Sequence, residues 1–214
     1  MRIVCGQHGG RAQWRMADDC NPHPTVSKIA LTLDNNVWDF LFLRGIDLAM
    51  ELPSDEFTIS ITREVEIETL AIPPKESKEA LKAYIDQTIE KCDIRTTSVF
   101  GFAHNNPNKP QTMGGFGQGT WQSEAAAKFY KEISPLYLIG KKDTNSLLSG
   151  NQADAAVAAK SLSSIALTCE SPLKSGPLRY ASEHGGKVLY LGDFDASGQT
   201  LRDFIKAFHT KTTA

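Results

Sequence analysis

Carboxylates recur in this sequence where short apolar runs end. Asp34 follows Lys28-Ile29-Ala30-Leu31-Thr32-Leu33, and Glu64, Glu66 and Glu68 follow the β-branched and aromatic run 56–62. Asp154 opens an alanine-rich stretch, and Glu170 closes the apolar run 164–169. Acids gathered without His or Cys suit a hard, oxygen-seeking cation such as Mg²⁺ or Mn²⁺. Without a cation they repel one another and their pKa values rise. With one, the pKa of a bound water falls and charge on a phosphoryl group is neutralised. Plainer roles stand beside this one. Asp34 can cap a helix that follows it, Asp154 can answer the positive end of its own helix, and part of the 64–68 run can be solvated surface.

A second constellation lies near the N-terminus. Cys5-x-x-His8 and Cys20-x-x-His23 have the pairing that zinc takes tetrahedrally, and a small coreless segment can fold around such an ion; the same residues can equally belong to a flexible tail. Gly192-Asp193-Phe194-Asp195-Ala196-Ser197-Gly198 sets two acids before a glycine, with Asp195 or Ser197 the expected cap of the last helix. The glycines of 114–119 miss the dinucleotide-binding spacing, and neither a Walker A nor a His-Glu-x-x-His motif is present. His104, His184 and His209 are isolated and read as surface or structural groups. Trp121 reads as a packing residue, with stacking on a base as the alternative.

The elements that must position these groups follow from patterning. Residues 28–33 and 56–62 read as strands, and 37–50 as a buried helix broken near Gly45. Thr62 is placed to cap a helix over 63–70 that Pro73-Pro74 ends. Residues 75–92 carry Ala80, Leu81, Tyr84, Ile85 and Ile89 at helical spacing. Organisation weakens after 92, and 103–123 have loop composition. It returns with a helix over 154–161, a strand over 164–169, a short helix over 177–184 stopped by Gly185-Gly186, a strand over 187–191 and a final helix over 198–209. Short apolar strands alternating with helices predict a three-layer α/β/α fold around a mostly parallel sheet. Residues 1–27 read as an N-terminal extension and 28–214 as the domain proper.

Three strings in this order resemble PIN domains. Leu31-Thr32-Leu33-Asp34-Asn35-Asn36-Val37 is similar to their opening strand and acid. Ile59-Ser60-Ile61-Thr62-Arg63-Glu64-Val65-Glu66-Ile67 is similar to their second strand, capping hydroxyl and acid-bearing helix. Asn151 to Lys160, followed by Ile165 to Glu170, is similar to the remaining acids. The resemblance spans about 28–192 and is weakest over 93–150. It implies a Mg²⁺- or Mn²⁺-dependent nuclease acting on RNA rather than DNA, with Asp34, Glu66, Asp154 and Glu170 as catalytic metal ligands and Asn36 orienting Asp34 or a metal-bound water. Counting from Ser60 favours Glu66 as the second acid, and Glu64 and Glu68 remain its competitors. The family usually carries Asp where this chain has Glu170. Many members are toxins, so an antitoxin or other inhibitor is an implied partner. The alternative is a degenerate PIN-like or toprim-like module that binds nucleic acid without cutting it; the 192–198 string is similar to the toprim metal loop.

Composition agrees with a globular chain. Of 214 residues 41% are hydrophobic and 22% charged, enough for a sizeable core in one domain. The net charge of −2 averages an acidic site with the basic groups that would steer phosphate, for which Arg63, Lys141, Lys142 and Lys174 are candidates. No run reaches the ~20 apolar residues of a membrane span, and residues 1–27 are polar, which together predict a cytoplasmic protein. Four scattered cysteines do not make a disulfide framework, and Cys169 reads as a buried free thiol. The oligomeric state is left open.

Overall fold

The computed structural model describes residues 27–73, 75–100, 111–114, 123–138 and 146–213, with backbone alone at 99–100 and 113–114. The N-terminal Cys/His quartet, His104, Lys141, Lys142 and Trp121 lie outside the described residues.

The centre is a five-stranded, wholly parallel sheet. Its strands are β1 (Ile29–Leu33), β2 (Phe57–Thr62), β3 (Arg95–Thr97), β6 (Ile165–Thr168) and β7 (Val188–Tyr190), ordered β3-β2-β1-β6-β7. Two further two-residue strands, β4 (Val99–Phe100) and β5 (Met113–Gly114), pair separately with each other. In the register of the central strands Leu33 lies beside Ile61 on one flank and Leu167 on the other. Strands buried on both faces read as continuous apolar runs, which is why β1, β2 and β6 stand out in the sequence. β3 is three residues long and sits at the sheet edge, where the reading of 93–123 found no strand.

From β1 the chain steps outward to β2 and β3, then returns to place β6 on the other side of β1. Right-handed crossovers therefore put the helices of the two halves on opposite faces. One layer holds α1 (Val37–Leu43), α2 (Leu48–Glu51) and α4 (Glu76–Lys91), with α4 packed on the other two. The other holds α5 (Glu124–Tyr137), α6 (Gln152–Lys160) and α7 (Pro177–Glu183), with α6 against β1, β2 and β6. Ala153, Ala155, Ala158 and Ala159 of α6 are buried, and small side chains let that helix lie close to the strands. α5 is absent from the sequence reading, although Ser123 caps it and Ala126, Phe129 and Ile133 are buried at helical spacing.

Local signals act as expected at several boundaries. Gly45 has φ +60 and separates α1 from α2. Thr62 Oγ1 accepts the Val65 N–H at 3.3 Å and caps α3 (Arg63–Leu70). Gly185, at φ +88, ends α7. The cap of the final helix differs from expectation. After a short α8 (Phe194–Ser197), α9 (Leu201–Thr213) is capped by Thr200, whose Oγ1 accepts the Asp203 N–H at 3.1 Å while its hydroxyl donates to Asp203 Oδ2 at 2.8 Å. Asp195 is drawn elsewhere, into an ion pair with Arg44, and Ser197 closes on Phe194 within α8. Among the described residues no helix is long and apolar enough to cross a membrane.

Candidate functional site

All five strands point the same way, so their carboxyl ends share one edge. The order places a switch point between β1 and β6, where crossovers leave in opposite directions and open a crevice. Asp34 directly follows β1, and Glu170 lies two residues beyond β6. α6 runs antiparallel to the strand it feeds, so its first turn, bearing Asp154, returns to the same edge.

Asp34 is 2% exposed, and both of its carboxylate oxygens accept hydrogen bonds from neighbours. Oδ1 accepts the Asn35 N–H at 2.8 Å. Oδ2 accepts Asn36 Nδ2 at 2.8 Å and the Thr168 hydroxyl at 2.7 Å. Asn36 is held in turn by the Cys169 N–H, donated to its Oδ1 at 2.8 Å. The Thr168 oxygen also accepts the Glu170 N–H at 3.1 Å. These bonds tie the end of β1 to the end of β6 and fix Asp34 in one orientation. Asp34 does not cap α1 through its side chain; the acid is spent on the seam between the strands.

Electrostatics join three of the four expected acids. Burial raises the Asp34 pKa above the ordinary carboxylate value, the bonds from Thr168 and Asn35 oppose this, and the Glu170 charge adds to it. Asp154 is pushed up to about 6, first by burial and then by the charges of Asp34 and Glu170, with Lys174 opposing. Lys174 lies four residues beyond Glu170, in the turn after β6, and forms an ion pair with it. Its ammonium also feels Asp154 and Asp34, and its pKa rises accordingly. Lys174 is thus paired with Glu170 and within electrostatic reach of the other two carboxylates.

Glu66 is placed differently: it pairs with Arg63 on a partly exposed face of α3. Glu64 is 7% exposed. Burial pushes its pKa up to about 7, and its charge acts on Tyr130 of α5. Glu68 is half-buried and engaged in contacts of its own. The sequence could not foresee the burial of Glu64, because the packing of α3 against α6 is a tertiary contact that the 62–70 pattern does not carry. Thr168 was also missed as a site residue; its only signal is a hydroxyl at the last position of an apolar strand. Cys169 is half-buried rather than buried, and its thiol pKa is pushed up to about 11 by burial and by the Asp34 charge. Asp195, exposed in its pair with Arg44, lies on α8.

The donor set at the switch point is all oxygen, which suits Mg²⁺ or Mn²⁺. Asp34 accepts three bonds, and a carboxylate offers about four lone-pair directions, so capacity for a cation remains. Asp34 and Asp154 have raised pKa values, first through burial and then through neighbouring carboxylate charge, and a divalent ion would favour their ionised forms. Among the described residues no three His, Cys, Asp or Glu side chains are gathered tightly enough to form a ready-made metal cluster. No family model, curated protein or solved structure matches the chain.

Proposed function

We propose that this protein is a metal-dependent nuclease that hydrolyses phosphodiester bonds, with single-stranded RNA as the favoured substrate. The observation that carries the reading is the trio Asp34, Asp154 and Glu170 beside the β1–β6 switch point, electrostatically coupled to one another and to Lys174. Asp34, Asp154 and Glu170 would hold Mg²⁺ or Mn²⁺, which supplies a more acidic bound water and neutralises phosphate charge. The chain's own groups do the positioning. Asn36 and Thr168 fix the Asp34 carboxylate, so that it need not reorganise when substrate arrives. Lys174 balances the carboxylates and offers a cation to an approaching phosphate. Glu66 enters this reading only by the resemblance to PIN domains, which also supplies the preference for RNA and the idea of an inhibitor partner.

A second reading has its own support. The Asp34 oxygens are satisfied by protein donors and Glu170 is paired with Lys174, as suits a scaffold that binds nucleic acid without cutting it. Incubating the wild type and Asp34→Asn with single-stranded RNA and DNA, in Mn²⁺ or in EDTA, separates the two. The nuclease reading expects cuts that need Mn²⁺ and disappear in Asp34→Asn. Retention of RNA by both proteins with no cleavage at all moves the assignment to the binding module, and equal cleavage by both refutes the site.

A further inference from the structure

The opposite edge of the sheet carries the reverse charge. A polar cavity of about 140 Å³ opens there, lined by Lys28, Ser163, Ser164, Lys187 and His209 over a floor that includes Ile165. These residues come from the starts of β1, β6 and β7 and from the far end of α9. No carboxylate lines the cavity, and neither Lys28 nor Lys187 takes part in an ion pair among the described residues. Glu56, at the start of β2, is held in ion pairs by Arg202 and Lys206 of α9. The groups around the opening therefore sum to positive charge.

One atom of His209 is out of balance. His209 Nδ1 is buried and has no hydrogen-bond partner among the described residues. Buried polar atoms are nearly always satisfied, and an orphan points to an absent water or ion. The hydroxyls complete the picture. Ser164 Oγ, 2.7 Å from Thr32 Oγ1, is fixed in the core. Ser163, exposed, donates to the Lys160 carbonyl at 3.2 Å and can turn toward the cavity instead. Two ammoniums without an ion pair among the described residues, a hydroxyl and an imidazole ring around a small polar cavity are the chemistry of a tetrahedral oxyanion site.

We propose that this cavity binds a phosphate group, gripped by Lys28 and Lys187 with Ser163 and His209 completing the shell. The site stands apart from the acidic edge and does not depend on the nuclease reading. Two sources share the chemistry: free inorganic phosphate and the terminal phosphate of an oligonucleotide.

Histidine-ring NMR on the metal-free full chain tests it, with the His209 signals assigned through His209→Gln. Inorganic phosphate, titrated against chloride at matched ionic strength, should move the His209 signals saturably and leave those of His184 in place. Lys28→Gln/Lys187→Gln should weaken that response at least tenfold while the rest of the spectrum stays native. Lys91→Gln, which removes a lysine paired with Asp47 on another face, should leave it unchanged. A 5′-phosphorylated oligonucleotide that moves His209 at lower concentration than phosphate does would identify nucleic acid as the source; weaker or equal action would identify the free anion. Equal movement of His184 and His209, or full persistence in the double lysine variant, overturns the site.

Discussion

Asp154 and Glu64 are acids that the fold prefers protonated, and the sign of that preference has a measurable result. For Asp154 the ordinary pKa is 3.8 and the folded value about 6. Below about pH 4 both states are protonated and the native state is unpenalised. Between about pH 4 and 6 the unfolded chain ionises first, so stability falls as pH rises, by on the order of 2 kcal/mol once solvent screening is allowed. Glu64 repeats this from its ordinary 4.5 to about 7. Urea midpoints measured in EDTA should show Asp154→Asn gaining stability over wild type at pH 7 and none at pH 3.5. Glu64→Gln should behave likewise, with the gain still growing between pH 6 and 7. Gains that are the same at every pH would mean that the substitutions act through packing. Lys174 is the counterweight at this edge. Lys174→Gln removes the ammonium that competes for the carboxylates, so Mn²⁺ should bind several-fold tighter by titration calorimetry; an unchanged affinity would remove Lys174 from the site.

At the scale of elements, the junction of α7 with β7 is the least forgiving. A Cβ on Gly186 would lie 2.4 Å from Ser161 Oγ and 2.9 Å from the Ala181 carbonyl oxygen. The serine can move aside, whereas the carbonyl belongs to α7 and accepts the Gly186 N–H at 2.7 Å. Gly186→Ala should therefore cost about 1–3 kcal/mol in urea unfolding. Gly186→Ala combined with Ser161→Ala should recover little of it, and full recovery would show that the hydroxyl was the whole obstacle. This junction was legible in the sequence, as were β1, β2, α4, β6 and β7, because each pairs an apolar pattern with a clear stop such as Asp34 or Gly185, and α3 was legible from its Thr62 cap and the Pro73 stop. β3 was not legible: Arg95-Thr96-Thr97 has no apolar residue, since an edge strand need not be buried on both faces. α5 was overlooked beside glycine- and proline-rich neighbours, and Pro135 inside it looks like a break. The site was read in part. Asp34, Asp154 and Glu170 follow from their places at element ends. Which glutamate of α3 turns inward depends on how α3 packs against α6 and β2, and that packing leaves no mark within residues 62–70.

For the molecule as a whole, the sheet order sets where the fold is firm. β1 is flanked on both sides, and its neighbours β2 and β6 are flanked in turn, whereas β3 and β7 are edges. Native-state amide exchange should be slowest in β1, β2 and β6, approaching the global unfolding limit, and faster in β3. Protection of β3 equal to that of β1 would mean that the sheet opens only as one unit. The β1–β6 seam has a further consequence, in time. Thr168 and Asp34 are bonded across 134 positions of the chain. At roughly 5–20 residues per second, a ribosome needs about 7–27 s to go from one to the other. Throughout that interval Asp34 exists without the hydroxyl that orients it and without Glu170. A nascent chain thus carries its acidic edge unassembled until translation has passed β6.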